Sequence, residues 1–299
     1  MKLLDRNFWV RTASAAVFVV IFMGATLLSV WSFLALLAII LCGSIIELNR
    51  LARRGGYRPV LWYPLAVGLL LLAAAGLSTI LGIWKYLNIL AVALPAAVLL
   101  LPLALVAELF RSKPATGTPA PAAPNGTPMV NVGINMLSLT YIALPLVLLV
   151  PFTTDGFGYN PRPFLYYMFM VWANDVGAYI FGVTLGRHKM AKRLSPKKSW
   201  EGFFGGLLFA MIVGALVGGT KLGGGLGEYV GAGIGWWIGA GAVVAVTSVL
   251  GDLVESMFKR SVDVKDSGKM MPGHGGFLDR FDSVFISAPF VVAYFFLAL

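Results

Sequence analysis

The run 256–282, SMFKRSVDVKDSGKMMPGHGGFLDRFD, gathers nine charged residues in 27 positions, whereas the chain as a whole is 12% charged. Lys259, Arg260, Lys265 and Lys269 come first, then His274 between one glycine and a glycine pair in a PGHGG turn, then Asp279 and Asp282. Cations, a turn with little side-chain bulk and paired carboxylates are what a site needs to hold a polyphosphate together with a divalent metal.

Other carboxylates sit where lipid is expected. Asp175 falls mid-segment in VWANDVGAYIFG, and Asp252 and Glu255 near the end of another apolar segment, in SVLGDLVES. An ionised side chain at mid-membrane costs about 2.5–3.5 kcal/mol on insertion scales, so such residues usually face a polar cavity and have a partner. Asp252, Glu255 and Lys259 are spaced i, i+3, i+7 and share one helix face. Asp279 and Asp282 share a face if helical, and Asp175 lies on a stripe with Ala178, Tyr179 and Gly182. These hard oxygen donors suit Mg²⁺ better than Zn²⁺. Mn²⁺ fits the same donors, and a second, monovalent ion is compatible with them.

A second polar loop, GRHKMAKRLSPKKSWEG at 186–202, adds cations. Ser195-Pro196 predicts a helix start, with Ser as cap and Pro at the first helical position. Lys197 and Lys198 then fall in the first turn, where they oppose the helix dipole unless an anion binds there. Ser195, Lys197 and Lys198 are therefore candidates for binding substrate phosphate. His188 reads as a surface residue.

The elements that must position these groups are membrane helices. The chain has 299 residues, of which 59% are hydrophobic, above the 45–50% usual in soluble proteins. A spanning helix needs about 20 apolar residues. Nine such segments are expected, at 11–29, 32–49, 60–82, 84–107, 131–152, 163–186, 199–220, 231–257 and 281–299. The fold class is thus an all-α polytopic membrane protein. The apolar N-terminal run is too long for a signal peptide and reads as an anchor. With the N-terminus inside, 20 of the 23 Lys and Arg fall in inside segments, and only Lys85, Arg162 and Lys221 fall outside. That bias predicts a cytoplasmic N-terminus and an active site at the cytoplasmic side. Residues 111–130, RSKPATGTPAPAAPNGTPMV, read as a flexible cytoplasmic linker. It divides an N-terminal set of spans, 1–110, from a C-terminal catalytic region, 131–299.

Several function classes fall away. The net charge of +10 is explained by topology, and no basic stripe interleaved with aromatics invites nucleic acid. No GxxxxGK[ST] opens a P-loop route, and no HExxH a zinc hydrolase. Gly231, Gly235 and Gly239 recur every four residues within an apolar segment, which predicts close helix packing rather than a dinucleotide fingerprint. The lone Cys42 reads as a small buried hydrophobe. Glycine-rich spans suit a homodimer and internal packing equally.

The long motif resembles the signature of the phosphatidate cytidylyltransferase, or CDP-diacylglycerol synthase, family. The matching positions are Ser256, Lys259-Arg260, Lys265-Asp266, Gly268, Pro272, His274-Gly275-Gly276, Asp279-Arg280 and Asp282, with Met271 where Leu, Ile or Phe is usual. SPKKSWEG is similar to a second family block, with Ser199 where Thr is commoner, and DVGAYIFG and GDLVES resemble two more. The resemblance covers 170–299 well, while 1–165 match only as apolar spans.

The resemblance implies that CTP and phosphatidic acid react to give CDP-diacylglycerol and pyrophosphate, at the inner membrane of a bacterial cell. It implies Asp252, Asp279 and Asp282 as metal ligands, with Asp175 as a helper. Lys259, Arg260, Lys265, Arg280, Lys197 and Lys198 would contact phosphates, Gly275 and Gly276 would let backbone N–H groups approach the nucleotide, and His274 would donate a hydrogen bond or move a proton. Two rivals use related features. A CTP-dependent polyprenol kinase would transfer the γ-phosphoryl group instead, and an ion-coupled transporter would use the intramembrane Asp residues for cations.

Overall fold

The computed structural model describes residues 6–81, 102–109, 128–153, 158–219, 233–268 and 275–297, with side chains described between residues 16 and 295. The described residues are almost entirely helical. In chain order the elements are α1 (Arg6–Leu28), α2 (Val30–Arg54), α3 (Trp62–Ile80), α4 (102–109), α5 (Pro128–Thr153) and α6 (Arg162–Thr184). A short hairpin, β1 (Lys189–Ala191) and β2 (Ser195–Ser199), follows, then α7 (Trp200–Gly219), α8 (Ile234–Ser261) and α9 (Leu278–Leu297). Five of these helices, α2, α3, α5, α7 and α8, are long and apolar enough to cross a membrane. Most of the fourth expected segment, apart from the part taken up by α4, and most of the expected linker lie outside the described residues. Positions 128–130, read as the end of the linker, already belong to α5.

Two compact units emerge, and they cross the division suggested by the linker. One contains residues up to Tyr159 together with Ser261–Arg280, the other Asn160–Arg260 together with Phe281–Leu299. The signature motif is therefore shared between them.

The first unit is built around α2. Ser29 caps this helix reciprocally with Ser32, and Phe33, Leu37, Leu41, Ile45 and Leu48 form a buried stripe at helical spacing. α5 is not a uniform helix. Pro145 has no N–H to return to the preceding turn, and the chain widens into a π turn over Ser138–Ala143 just before it. The Leu144 N–H bonds to the Leu139 carbonyl, five residues back. That local adjustment is how Pro145 is tolerated inside an apolar segment.

In the second unit α6 and α7 pack closely. A Cβ at Gly177 on α6 would collide with the Gly205 carbonyl on α7. Between them the structure departs from expectation. Ser195–Ser199 is not the start of a helix but a strand, paired antiparallel with β1 in the register Lys189↔Ser199 and Ala191↔Ser195. The helix starts at Trp200, with the Ser199 hydroxyl accepting the Gly202 N–H at 3.2 Å. Lys197 and Lys198 thus sit on a strand, and the helix-dipole argument for a phosphate there does not hold. The physical reason is competition for the cap. Ser199 offers the same hydroxyl four residues later, and the Trp200 N–H closes the hairpin on the His188 carbonyl at 2.9 Å. On α8, Gly239 packs against the Tyr294 hydroxyl of α9, as the small-residue spacing suggested. Gly235 faces open space, and Gly231 lies outside the described residues.

Candidate active site

The second unit brings together the acidic residues of two helices. α8 and α9 cross where Gly251 meets the backbone of Asp282 and Ser283. A Cβ at Gly251 would collide with the Asp282 carbonyl, and the Ser283 hydroxyl donates to the Ser248 carbonyl at 3.4 Å. This crossing sets Asp252, the next residue on α8, beside Asp282. Lys198 reaches in from β2. Its Nζ lies 2.8 Å from Asp252 Oδ2 and donates to the Val249 carbonyl at 3.3 Å. Ser256, one turn on, donates to Asp252 Oδ1 at 3.3 Å.

Asp282 is buried, and its Oδ1 accepts the Ser283 N–H at 2.6 Å. The carboxylates of Asp252 and Asp175 and the ammonium of Lys198 all act on it electrostatically. Three carboxylates and one lysine therefore share a neighbourhood in which Asp175 and Asp252 are accessible and Asp282 is not. Burial of like charges side by side is unfavourable unless a cation or a proton offsets it.

Lys259 lies on the same helix face as Glu255, as its spacing predicts. It pairs with the buried carboxylate of Glu255 one turn earlier, while Asp252 is held by Lys198 and Ser256. Arg260, at the end of the same helix, is exposed, as is Lys197 on β2, and Ser195 is half-buried. His188 is a surface residue, as expected, and its Nδ1 lies 2.6 Å from Glu201.

The first unit carries the flanks of the glycine turn. Asp279, on the first turn of α9, reaches back. Its Oδ2 accepts the Gly276 N–H at 3.0 Å, the Ser267 N–H at 3.1 Å and the Ser267 hydroxyl at 2.9 Å. In this arrangement Asp279 binds the two sides of the turn to each other. The Gly276 N–H, expected to stand open for a nucleotide, is engaged by that carboxylate. Gly275 has φ +83°, a conformation natural to glycine. Lys265 and Arg280 are exposed. His274 lies outside the described residues.

A model of the cytidylyltransferase family matches residues 9–298. The chain belongs to the cytidylyltransferase family. The match takes in the N-terminal spans as well, which the motifs alone did not reach. Among curated proteins, a phosphatidate cytidylyltransferase of Haemophilus influenzae is 43% identical over 144 residues, 45% of this chain and 46% of that protein. Those of Staphylococcus haemolyticus and Staphylococcus aureus are 38% and 36% identical over 154 and 156 residues, in both cases 52% of this chain and 55% of the relative. The chain thus aligns with about half the length of the curated relatives it matches.

For a cytidylyltransferase the acidic crossing has a suitable donor chemistry. Among the described residues no three His, Cys, Asp or Glu side chains converge as a ready-made metal cage. Mg²⁺ does not require one, because it is commonly held by one or two carboxylates, with substrate phosphates and water completing its shell. Asp252 and Asp282 fit that pattern. Asp279 is less free to do so, since one of its oxygens already accepts three hydrogen bonds.

Sequence reasoning passed over Glu47. It lies on the buried face of α2, fully inaccessible, and accepts from the Leu278 N–H at 2.9 Å, while the Ser267 hydroxyl, whose one hydrogen it shares with Asp279, lies 3.2 Å away. The available signal was a single carboxylate in the apolar run LCGSIIELNR. Its position near the end of that run makes it look like an ordinary boundary residue.

Proposed function

We propose that this cytidylyltransferase-family protein transfers the cytidylyl group of CTP to phosphatidic acid, giving CDP-diacylglycerol and pyrophosphate. The observation that carries the reading is the Asp252–Asp282 crossing with Lys198 at its side, in a chain whose similar proteins are named phosphatidate cytidylyltransferases.

The chemistry asks little of a general base. A phosphate oxygen of phosphatidic acid, already ionised near neutral pH, attacks the α-phosphorus of CTP. The new P–O bond forms as the bond from the α-phosphorus to the bridging oxygen breaks, and pyrophosphate leaves with that electron pair. The difficulty is bringing two polyanions into line. Bound Mg²⁺ supplies charge neutralisation for the phosphates. Asp252 and Asp282 are the residues to hold it, with Asp175 alongside. Lys198 orients Asp252. Lys197, Arg260, Lys265 and Arg280 are exposed cations for phosphate oxygens, and His274 and Gly275 are assigned to the nucleotide. Lys259, paired with Glu255, stabilises the end of α8 next to Arg260.

Nine spans with a cytoplasmic N-terminus, in the inner membrane of a bacterial cell, complete the proposal. Phosphatidic acid then enters from the cytoplasmic leaflet with its acyl chains left in lipid. Purified protein in detergent, given CTP, phosphatidic acid and Mg²⁺, is expected to release pyrophosphate, to stop with EDTA, and to prefer CTP over ATP and GTP. A transporter would release none. A homodimer and a second, monovalent ion are compatible with this account and are read out by mass measurement and by dependence on K⁺ or Na⁺.

A further inference from the structure

Glu47 is the one acidic residue on the buried stripe of α2, and it is wholly inaccessible. A carboxylate in such surroundings is strongly disfavoured unless donors surround it. Its donors come from far away in sequence. The Ser267 hydroxyl, shared with Asp279, lies on one side of the glycine turn, and the Leu278 N–H on the other. The Leu278 N–H is one of the donors that a helix start leaves without an intrahelical acceptor, so Glu47 also serves as a cap for α9.

The fit is close. A Cβ on Gly268 would strike Glu47 Oε1, and one on Gly276 would strike Oε2. Two of the signature's glycines are thus the space that this carboxylate occupies. Next to it, Phe277 lies against Gly43, one turn earlier on α2, where a Cβ would collide with the ring. The same face of α2 therefore meets residues 267, 268, 276, 277 and 278. All of these residues belong to one compact unit.

We propose that Glu47 is a positioning residue that staples both flanks of the Gly-His-Gly turn to the second N-terminal helix, and so sets the turn for the nucleotide. Its kinetic consequence rests on the function proposed above, and its structural consequence does not. The proposal gives the N-terminal spans a part in the site. They fix the turn, rather than serving as an anchor alone.

The test compares wild type, Glu47→Ala and Glu47→Gln as full-length protein in detergent, with two readouts. The first is limited trypsin digestion. Lys265 is exposed just before Ser267, and Arg193 in the β-hairpin is an exposed internal reference. In Glu47→Ala, cleavage after Lys265 is expected to speed up about tenfold relative to cleavage after Arg193, as the local structure opens. Glu47→Gln keeps an acceptor at the same reach and is expected to stay within about threefold of wild type. The second readout is steady-state kinetics. Glu47→Ala is expected to raise the CTP KM about tenfold while the phosphatidic acid KM stays within about twofold, a split that general destabilisation would not produce.

Wild-type cleavage at Lys265 in Glu47→Ala overturns the staple. Fast cleavage with an unchanged CTP KM overturns its role toward the nucleotide. If Glu47→Ala fails to assemble, Ser267→Ala and Gly276→Ala replace it. The first removes the donor that Glu47 shares with Asp279, and the second crowds Glu47 itself. Wild-type cleavage in both overturns the proposal. A wild-type protein that releases no pyrophosphate sinks the proposed reaction, while the digestion still decides the staple.

Discussion

A carboxylate that is to receive a cation must be held in place beforehand, and at Asp252 this is done by Lys198 and Ser256, one at each oxygen. Asp282 is held by its own neighbour, the Ser283 N–H. Replacing either Asp by Asn keeps its size, but it exchanges one acceptor oxygen for an NH2 donor and removes the charge that a divalent ion needs. Asp252→Asn and Asp282→Asn are each expected to lower the rate about a hundredfold or more, with the protein still inserted and monodisperse. The check is pyrophosphate release over a Mg²⁺ titration, and wild-type turnover in both variants removes the metal assignment. These residues were legible in the sequence because a charge in an apolar segment needs a reason. Lys259 was legible as part of the same face, and of its two carboxylates only Glu255, one turn away, lies within helical reach. The fold gave Lys259 to Glu255, and Asp252 to Lys198, whose approach from β2 leaves no local trace in the sequence. Glu47 was not legible, because its meaning lies in donors from residues 267 and 278.

Among the elements, the apolar segments announced themselves, and the helices found match them to within a few residues at most ends. The hairpin did not. Ser-Pro followed by two lysines satisfies the local rules for a helix start, and tertiary pairing with Lys189–Ala191 prevailed over them. The consequence is testable. Ser199→Ala, which removes the observed cap, is expected to lower stability by about 1 kcal/mol, and Ser195→Ala to leave it unchanged. Thermal unfolding of the two variants in one detergent measures the difference. The α8–α9 crossing is the other element-scale device. Gly251→Val would drive a branched side chain into the Asp282 backbone. It is expected to cost about 1–3 kcal/mol and to lower turnover by separating the two carboxylates. Unfolding and activity measured on the same sample check both effects.

At the scale of the whole molecule, the chain is sorted differently from its linear order. Ser261–Arg280 groups with the N-terminal helices, and the helices on either side of that stretch group with the rest. A linear reading places the boundary at the Pro- and Ala-rich stretch 111–130, because composition is all that a sequence shows of a boundary. A contact between residue 47 and residue 278 leaves no local trace. If the linker only connects, deletion of 115–127 keeps at least about half of the wild-type turnover in a correctly inserted protein, and loss of turnover would show that the stretch has a part in the site. The central claim is that the nucleotide's α-phosphorus, not its γ-phosphorus, is what the lipid phosphate attacks. The most direct measurement follows two labels in parallel. Purified protein in mixed micelles with phosphatidic acid and Mg²⁺ receives CTP labelled at the α-phosphate in one reaction and at the γ-phosphate in the other. The account predicts α-label in the lipid fraction and γ-label in pyrophosphate. γ-label in the lipid fraction, with CDP released, would contradict it.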